Sequence, residues 1–505
     1  MTCVLLFGLA CAMGLWALHQ THRWPTGDGP HYAIMADSLV DHGSFEVKRA
    51  YTSGDYVGVF YNAPLNFHIN AAYFTEASPR WYSNHSFGLP LLVAPFLMVA
   101  AYFHLTPLFA LQVGMVAWQA LGGVLIYLYS RELVRNRLCA VMAALTMLSS
   151  VSYLSHVGNL FPDIPTASIL IASLLCLTRL ARRPQSVFLY AAVSALAGIA
   201  PYLHVKNCLI SVTVIALATL TWGQNNRQLR NLICLIVPGL LLFTIYAVKI
   251  HEWYGTWVVT SPFSSGLMFQ VTPGLSIIAS LFDTSRGILP INPAFLLIFA
   301  GLPIWWKMHR RSLLVGLAVL MPSMIVQSTY TDWAGGYSPA GGRYMLPLIF
   351  CMLPAVAFLF VRLGGFGRVL VSALILAQLR LGVYNARLDP QWSDAESPNE
   401  LFAELNLPLN LGQQLAAPIF SKDLHITGPS EALVLAGEVS LVVNMLLIGA
   451  LLARQATPIL TATPAPGRQS GTSTRRLGKR DPAWHSRATP ADHLRHNGPL
   501  ASRPD

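Results

Sequence analysis

Long apolar runs, separated by loops of contrasting charge, dominate the chain. They lie near 2–19, 107–130, 138–154, 164–179, 187–203, 207–222, 232–250, 291–307, 312–328, 345–361, 369–384 and 432–453. Each approaches the roughly 20 residues a helix needs to cross the hydrocarbon of a bilayer. The runs are continuously apolar, whereas a membrane β-barrel strand alternates apolar and polar positions. A helix also satisfies its own backbone in lipid. The pattern therefore predicts an all-α, polytopic transmembrane helix bundle of about 12 spans.

One further apolar run, 87–104, decides the topology. If it crosses, the later loops invert. If it lies along the interface or half inserts, the short basic loops all share one side. These hold Arg131, Arg135 and Arg137; Arg179, Arg182 and Arg183; Arg227 and Arg230; Lys307, Arg310 and Arg311; and Arg362 and Arg368. The positive-inside rule favours the second arrangement, with both termini cytoplasmic. Pro90 and Pro95 fit a bent helix that does not span. The other face then collects the long first loop, 20–106, and most acids outside the tail.

Composition agrees: 54% of the 505 residues are hydrophobic and 11% charged, against about a quarter charged in soluble domains. The net charge of +11 owes much to the end of the chain, where 454–505 carries nine Lys/Arg and three Asp. We read 1–453 as one transmembrane domain and 454–505 as a disordered basic cytoplasmic tail. No nucleic-acid partner is expected. The seven cysteines lie in or beside apolar runs and read as small buried hydrophobes. Residues 2–19 lack a basic n-region and a clear cleavage site, and read as an uncleaved first span.

Candidate chemistry concentrates in the outer loops. Gly27-Asp28-Gly29-Pro30-His31-Tyr32 follows the first span directly. Pro30 suits a first helical turn, with Asp28 or Gly29 as its cap. Ile34, Met35, Leu39 and Val40 give this helix an apolar stripe for the membrane surface, and Gly43 ends it. Asp28 at the helix N-terminus stays ionised and could take a proton from a hydroxyl acceptor; it could equally be a helix cap. Asp163, before the fourth span, carries the same two readings. His85, within Trp81 to Pro90, could hold a phosphate or sugar, although a lone loop histidine is more often incidental.

Two outer loops set an arginine among small residues. They are Phe282-Asp283-Thr284-Ser285-Arg286-Gly287 and Trp333 to Tyr344, which contains Arg343. Glycine lets backbone amides approach an anion, and arginine adds a bidentate clamp. Lys206 and His204 are weaker candidates of the same kind. Glu438 and Arg380 fall within spans and mark either a transport path or an internal pair. No metal-ligand cluster, phosphate-binding P-loop, dinucleotide fingerprint or serine triad appears, so no cofactor or metal is expected.

The order of these motifs resembles the GT-C superfamily of membrane glycosyltransferases. The likeness is to the branch with protein O-mannosyltransferases, the aminoarabinose transferase of lipid A and rhizobial galacturonosyltransferases. It runs from about residue 20 to about 350 and rests on Gly27 to Tyr32, Trp81 to Pro95, Phe161 to Pro165, Phe282 to Pro293 and Trp333 to Pro347. The resemblance implies a sugar donor on a polyisoprenyl phosphate and a lipid, glycan or protein acceptor. It implies a site on the extracytoplasmic side of a bacterial inner membrane. It maps the family's base onto Asp28 and a second family acid onto Asp163. Inverting attack would leave lipid phosphate, for which Arg286, Arg343, His85, Lys206 and Tyr344 are the binding candidates. Many relatives carry Asp-Glu where this chain has Asp28-Gly29, which leaves Asp28 the lone acid there. Two other functions compete: a transporter or lipid-carrier flippase, and an envelope polysaccharide ligase or polymerase.

Overall fold

The computed structural model describes residues 1–21, 24–65, 80–225, 228–255, 257, 274–328, 343–387, 400–403, 417–421 and 424–455. Among them the regular structure is helical, with three isolated β-bridges in place of strands. In chain order the helices are α1 (Thr2–Thr21), α2 (Gly29–His42), α3 (Lys48–Ser53), α4 (Gly88–Phe103), α5 (Pro107–Val134), α6 (Arg137–Leu148), α7 (Val151–Ser155) and α8 (Asp163–Arg182). There follow α9 (Val187–Leu203), α10 (Asn207–Asn225), α11 (Leu229–Tyr254), α12 (Leu275–Phe282), α13 (Ile288–Ile291) and α14 (Leu296–Ser328). The last are α15 (Leu346–Met352), α16 (Pro354–Arg362), α17 (Gly365–Arg387), α18 (Glu400–Ala403) and α19 (Pro429–Gln455). The tail from 456 onward lies outside the described residues, as do Glu76, Asp332 and the glycine-rich stretch 333–342.

Among the described residues, seven helices are long and apolar enough to cross a membrane, or eight if the bent pair 343–352 and 354–362 is one span. The expectation was about 12, and short or broken helices account for much of the difference. The run 138–154 divides where Ser150 caps α7 through Tyr153 N. Helix α9, at 17 residues, falls short of the usual span length. The expected spans 291–307 and 312–328 fall largely within α14, which His309 interrupts with a non-helical φ of −147°. That break sits within the predicted basic turn.

The ends of α8 define the two ends of the bundle, about 30 Å apart at the helical rise. At its C-terminal end Glu132 of α5 accepts from Arg179 Nε at 3.2 Å and from Arg182. Asn231 Nδ2, following the Arg230 loop, donates to Pro184 O at 3.4 Å. His309 lies within electrostatic reach of Arg182 and Arg135, and Arg368 within reach of Cys139. The basic loops thus gather at one end, away from Asp163.

Helix α4 starts and finishes at the other end. Its sixteen residues span about 24 Å, less than the roughly 30 Å hydrocarbon. Gly88 opens it against the Tyr202 main chain, where a β-carbon would come within 2.4 Å of the carbonyl carbon. Three residues separate Phe103 from the start of α5 at Pro107. In its second turn Gln112 Nε2 donates to Gly158 O, in the loop leading to Asp163. The stretch 87–104 therefore stays at the Asp163 end of the bundle, and Pro95 lies inside it.

Helix α2 forms with the expected terminator: Gly43 has φ 65° and donates its N–H to Leu39 O. Its burial differs from the expected surface helix. Every residue from Gly29 to Ala36 is buried, whereas Asp41 and His42 are exposed. The first turns are enclosed by protein, so only the second half can face the membrane surface. This enclosure carries Asp28 into the molecule.

Candidate active site

The site begins with a turn. Gly27 adopts φ 56°, a left-handed conformation that glycine takes without steric penalty. Gly29 N–H then donates to Thr26 O at 2.9 Å. Asn159 fastens this turn to the loop before α8: its Oδ1 accepts from Thr26 N and Thr26 Oγ1, each at 3.1 Å. Asp28 and Asp163 are thereby brought side by side although 135 positions apart.

Neither acid caps its helix. Asp28 stands at the N-cap position of α2, but with helical φ and ψ and no side-chain capping bond. At α8 the cap position belongs to Pro162. Both carboxylates instead meet Arg343, which donates Nε to Asp163 Oδ2 at 2.7 Å and Nη2 to Asp28 Oδ2 at 3.3 Å. The guanidinium lies over the Phe161 ring, 3.8 Å from its centroid. Asp163 and Arg343 are buried, at 5% and 7% side-chain exposure, while Asp28 retains 32%. One acid is thus sealed against the arginine and the other is accessible from outside.

A cavity opens beside this cluster between α8, α10, α14 and α15. Asp163, His204, Lys206, Asn207 and Tyr344 line its polar part, with Leu170 and Leu348 among its apolar walls. Lys206 Nζ rests 4.3 Å from the Tyr344 ring centroid. Burial lowers the lysine to about 8; Asp163 pulls upward and Arg343 downward. His204 is held down at about 3 by burial and then by the Lys206 charge. Its Nδ1 accepts the Lys206 N–H at 3.2 Å, as a neutral ring can. Among the described residues here, the charges of Asp28 and Asp163 offset those of Lys206 and Arg343.

His85 packs against the first turns of α2, with ring centroids 5.3 Å from His31 and 5.2 Å from Tyr32. His31 in turn shares a hydrogen bond with Tyr51. Burial, then the Asp28 charge, raise the Tyr32 hydroxyl well above its ordinary value. At Gly29 a β-carbon would lie 2.8 Å from Pro25 Cβ. A side chain there requires Pro25 to move.

The Arg286 turn departs from expectation. The amides that sequence reasoning offered to a phosphate already hold an anion: Ser285 N and Arg286 N donate to Asp283 Oδ1 at 2.9 and 2.7 Å. Among the described residues no ion pair or hydrogen bond joins Arg286 to the Asp28–Arg343–Asp163 cluster. The structure therefore brings together Asp28, Asp163, Arg343, Lys206 and Tyr344, sets His85 beside them on α2, and keeps Arg286 on a separate turn. Of the charges predicted within spans, Arg380 is exposed on α17 and Glu438 half-buried on α19. Asn159 and Phe161 were missed as site-builders. Phe161 opens the Phe161 to Pro165 motif, whereas the only sequence signal of Asn159 was proximity to Asp163. Among the described residues, no group of three or more His, Cys, Asp or Glu side chains could hold a metal ion.

No protein-family model matches the chain, and no curated protein does. Among solved structures it is similar to ArnT from Cupriavidus metallidurans bound to undecaprenyl phosphate, at 16% identity and TM-score 0.49, over 90% of this chain and 77% of that one. It is also similar to the apo oligosaccharyltransferase of Archaeoglobus fulgidus, at 13% identity and TM-score 0.44, over 85% of this chain and 61% of that one. The match thus spans less than two thirds of the oligosaccharyltransferase. Both neighbours are GT-C superfamily membrane glycosyltransferases, the first an aminoarabinose transferase.

Proposed function

We propose that the protein transfers a sugar from a polyisoprenyl-phosphate donor to a hydroxyl acceptor. The observation that carries this reading is the pair of acids on one arginine, with Asp28 open and Asp163 closed. The motif order that resembles GT-C transferases supports the same reading. The acceptor oxygen attacks the anomeric carbon, its proton passes to the Asp28 carboxylate, and the bond from that carbon to the phosphate oxygen breaks. The electron pair leaves with the phosphate, which goes from one negative charge to two when fully ionised. Arg343 and Lys206 are the cations placed to meet that added charge. Asp163 keeps the Arg343 guanidinium in place and is a positioning residue rather than a base. A single displacement of this kind inverts the anomeric centre.

Tyr344 carries Lys206 on its ring, and His85, packed on the first turns of α2, and Arg286 are further candidates for the donor phosphate. Gathering of the basic loops at the opposite end supports an extracytoplasmic site in a bacterial inner membrane. Lipid, glycan and protein acceptors all present the hydroxyl this chemistry needs.

The test is reconstitution of the purified protein with polyprenyl-phosphate sugars carrying a radiolabel, together with cell-envelope extract. Label should move to a hydroxyl-bearing acceptor, and the released carrier should be the monophosphate. Release of polyprenyl diphosphate would point to a ligase or polymerase. Movement of intact carrier between leaflets without sugar transfer would point to a flippase.

A further inference from the structure

Asp283 is fully buried and faces four main-chain donors. Ser285 and Arg286 N–H groups take one carboxylate oxygen. Ile419 N and Phe420 N donate to the other at 2.7 and 2.8 Å. A second tie joins the same two segments, since Thr284 Oγ1 donates to Ala417 O. The segment around Phe420 folds on itself: Thr427 N donates to Ile419 O at 3.0 Å and Ser421 N to His425 O at 2.9 Å. Ile419 and Phe420 pack on Ala279 of α12. Thus one carboxylate bridges two pieces of chain some 136 positions apart.

The position of this bridge is informative. Helix α12, which leads into the 283–287 turn, packs against the turn Arg343–Met345 and so borders the candidate site. The turn is tight: Gly287 N donates to Asp283 O, and a β-carbon at Gly287 would lie 2.4 Å from that oxygen. An acid three residues before an arginine commonly pairs with it on a helical turn. Here both carboxylate oxygens are committed to backbone, and among the described residues no ion pair links Asp283 to Arg286.

We infer that Asp283 is a positioning residue, clamping the main chain at Ile419 and Phe420 onto the 283–287 turn and so fixing Arg286 for the donor phosphate. The role of Arg286 rests on the proposed transfer reaction; the clamp itself does not. Asp283→Asn exchanges one acceptor oxygen for an N–H donor that faces backbone N–H groups. Asp283→Ala removes the whole acceptor set.

The experiment has two arms, both on the full chain in lipid nanodiscs. The first is hydrogen exchange of the peptide containing Ile419 and Phe420. Its rate should rise about tenfold or more in Asp283→Asn, as expected for a lost buried hydrogen bond, with the α8 peptides unchanged. An unaltered rate would overturn the clamp. The second is steady-state transfer from a polyprenyl-phosphate sugar. Asp283→Asn and Arg286→Ala should both raise the donor KM about fivefold or more, with kcat little changed. Only the first variant should speed exchange at Ile419 and Phe420. Faster exchange with an unchanged donor KM would overturn the positioning of Arg286. If Asp283→Asn fails to fold, Thr284→Val, which removes the tie to Ala417 and keeps the Asp283 carboxylate, replaces it and should shift both readings in the same direction by a smaller factor. A wild-type protein that transfers no sugar would count against the reaction, with the exchange arm still deciding the clamp.

Discussion

Two carboxylate–arginine clusters stand at opposite ends of α8 and share their chemistry but not their surroundings. At one end Glu132 receives Arg179 and Arg182, whose side chains are 42% and 36% exposed. At the other, Asp163 and Arg343 are almost entirely enclosed. Exposed pairs of the first kind contribute about 0–1 kcal/mol, because water competes for both partners and long side chains lose freedom. In an enclosed pair the attraction first offsets the loss of hydration, and removing one partner leaves a bare buried charge. A buried cluster is therefore weak evidence for stability and stronger evidence for function. Here it holds an arginine against an accessible acid beside a cavity.

That contrast can be broken most severely at Asp163. Asp163→Ala leaves Arg343 without its buried partner and should destabilise the protein by about 3–5 kcal/mol, read as a lowered midpoint in denaturant titration in detergent. A change below about 1 kcal/mol, the level of a surface pair, would erase the distinction between the two ends.

Lys206 sharpens the comparison through pH. Its value of about 8, against an ordinary 10.5, means the folded protein sheds this proton first as pH rises. Between these values the unfolded chain binds more protons, so stability contributed at this site increases with pH. Donor binding should move the other way, weakening as pH passes about 8 and the cation is lost. Lys206→Arg should flatten the alkaline fall in donor affinity, because a guanidinium stays charged. A wild-type donor KM constant from pH 7 to pH 9 would remove Lys206 from the phosphate site.

The smallest effect is expected at the exposed end. Glu132→Gln should cost at most about 1 kcal/mol, and salt should diminish that cost. Sugar transfer should be unaffected. A large loss of transfer would mean that the basic end takes part in the reaction.

Much of this arrangement was readable from the chain. Apolar runs gave the helical class, and the basic loops gave the pairing of ends. Asp28, Asp163 and Arg343 each stood out as polar residues beside spans. Their convergence was not readable, because Arg343 meets Asp28 across 315 positions and Asp163 across 180. No local periodicity encodes such contacts. The cap alternative for Asp28 was equally sound on local grounds and yields only to the tertiary position of Arg343. The opposite error occurred at Arg286, where a glycine-flanked turn suggested amides open to phosphate. Asp283, in the same motif, occupies them. The breaks at Ser149–Ser150 and His309 escaped detection because hydropathy averages over a window and registers no single dihedral.

The central claim is that Asp28 receives the acceptor's proton. Its most direct test is the rate of sugar transfer by purified Asp28→Asn under saturating donor and acceptor, alongside donor affinity and thermal stability. Loss of the base should lower kcat by about a thousandfold, within the range for loss of a general base, with donor affinity and folding retained. A variant within about tenfold of wild type, the range of an ordinary contact, would contradict it.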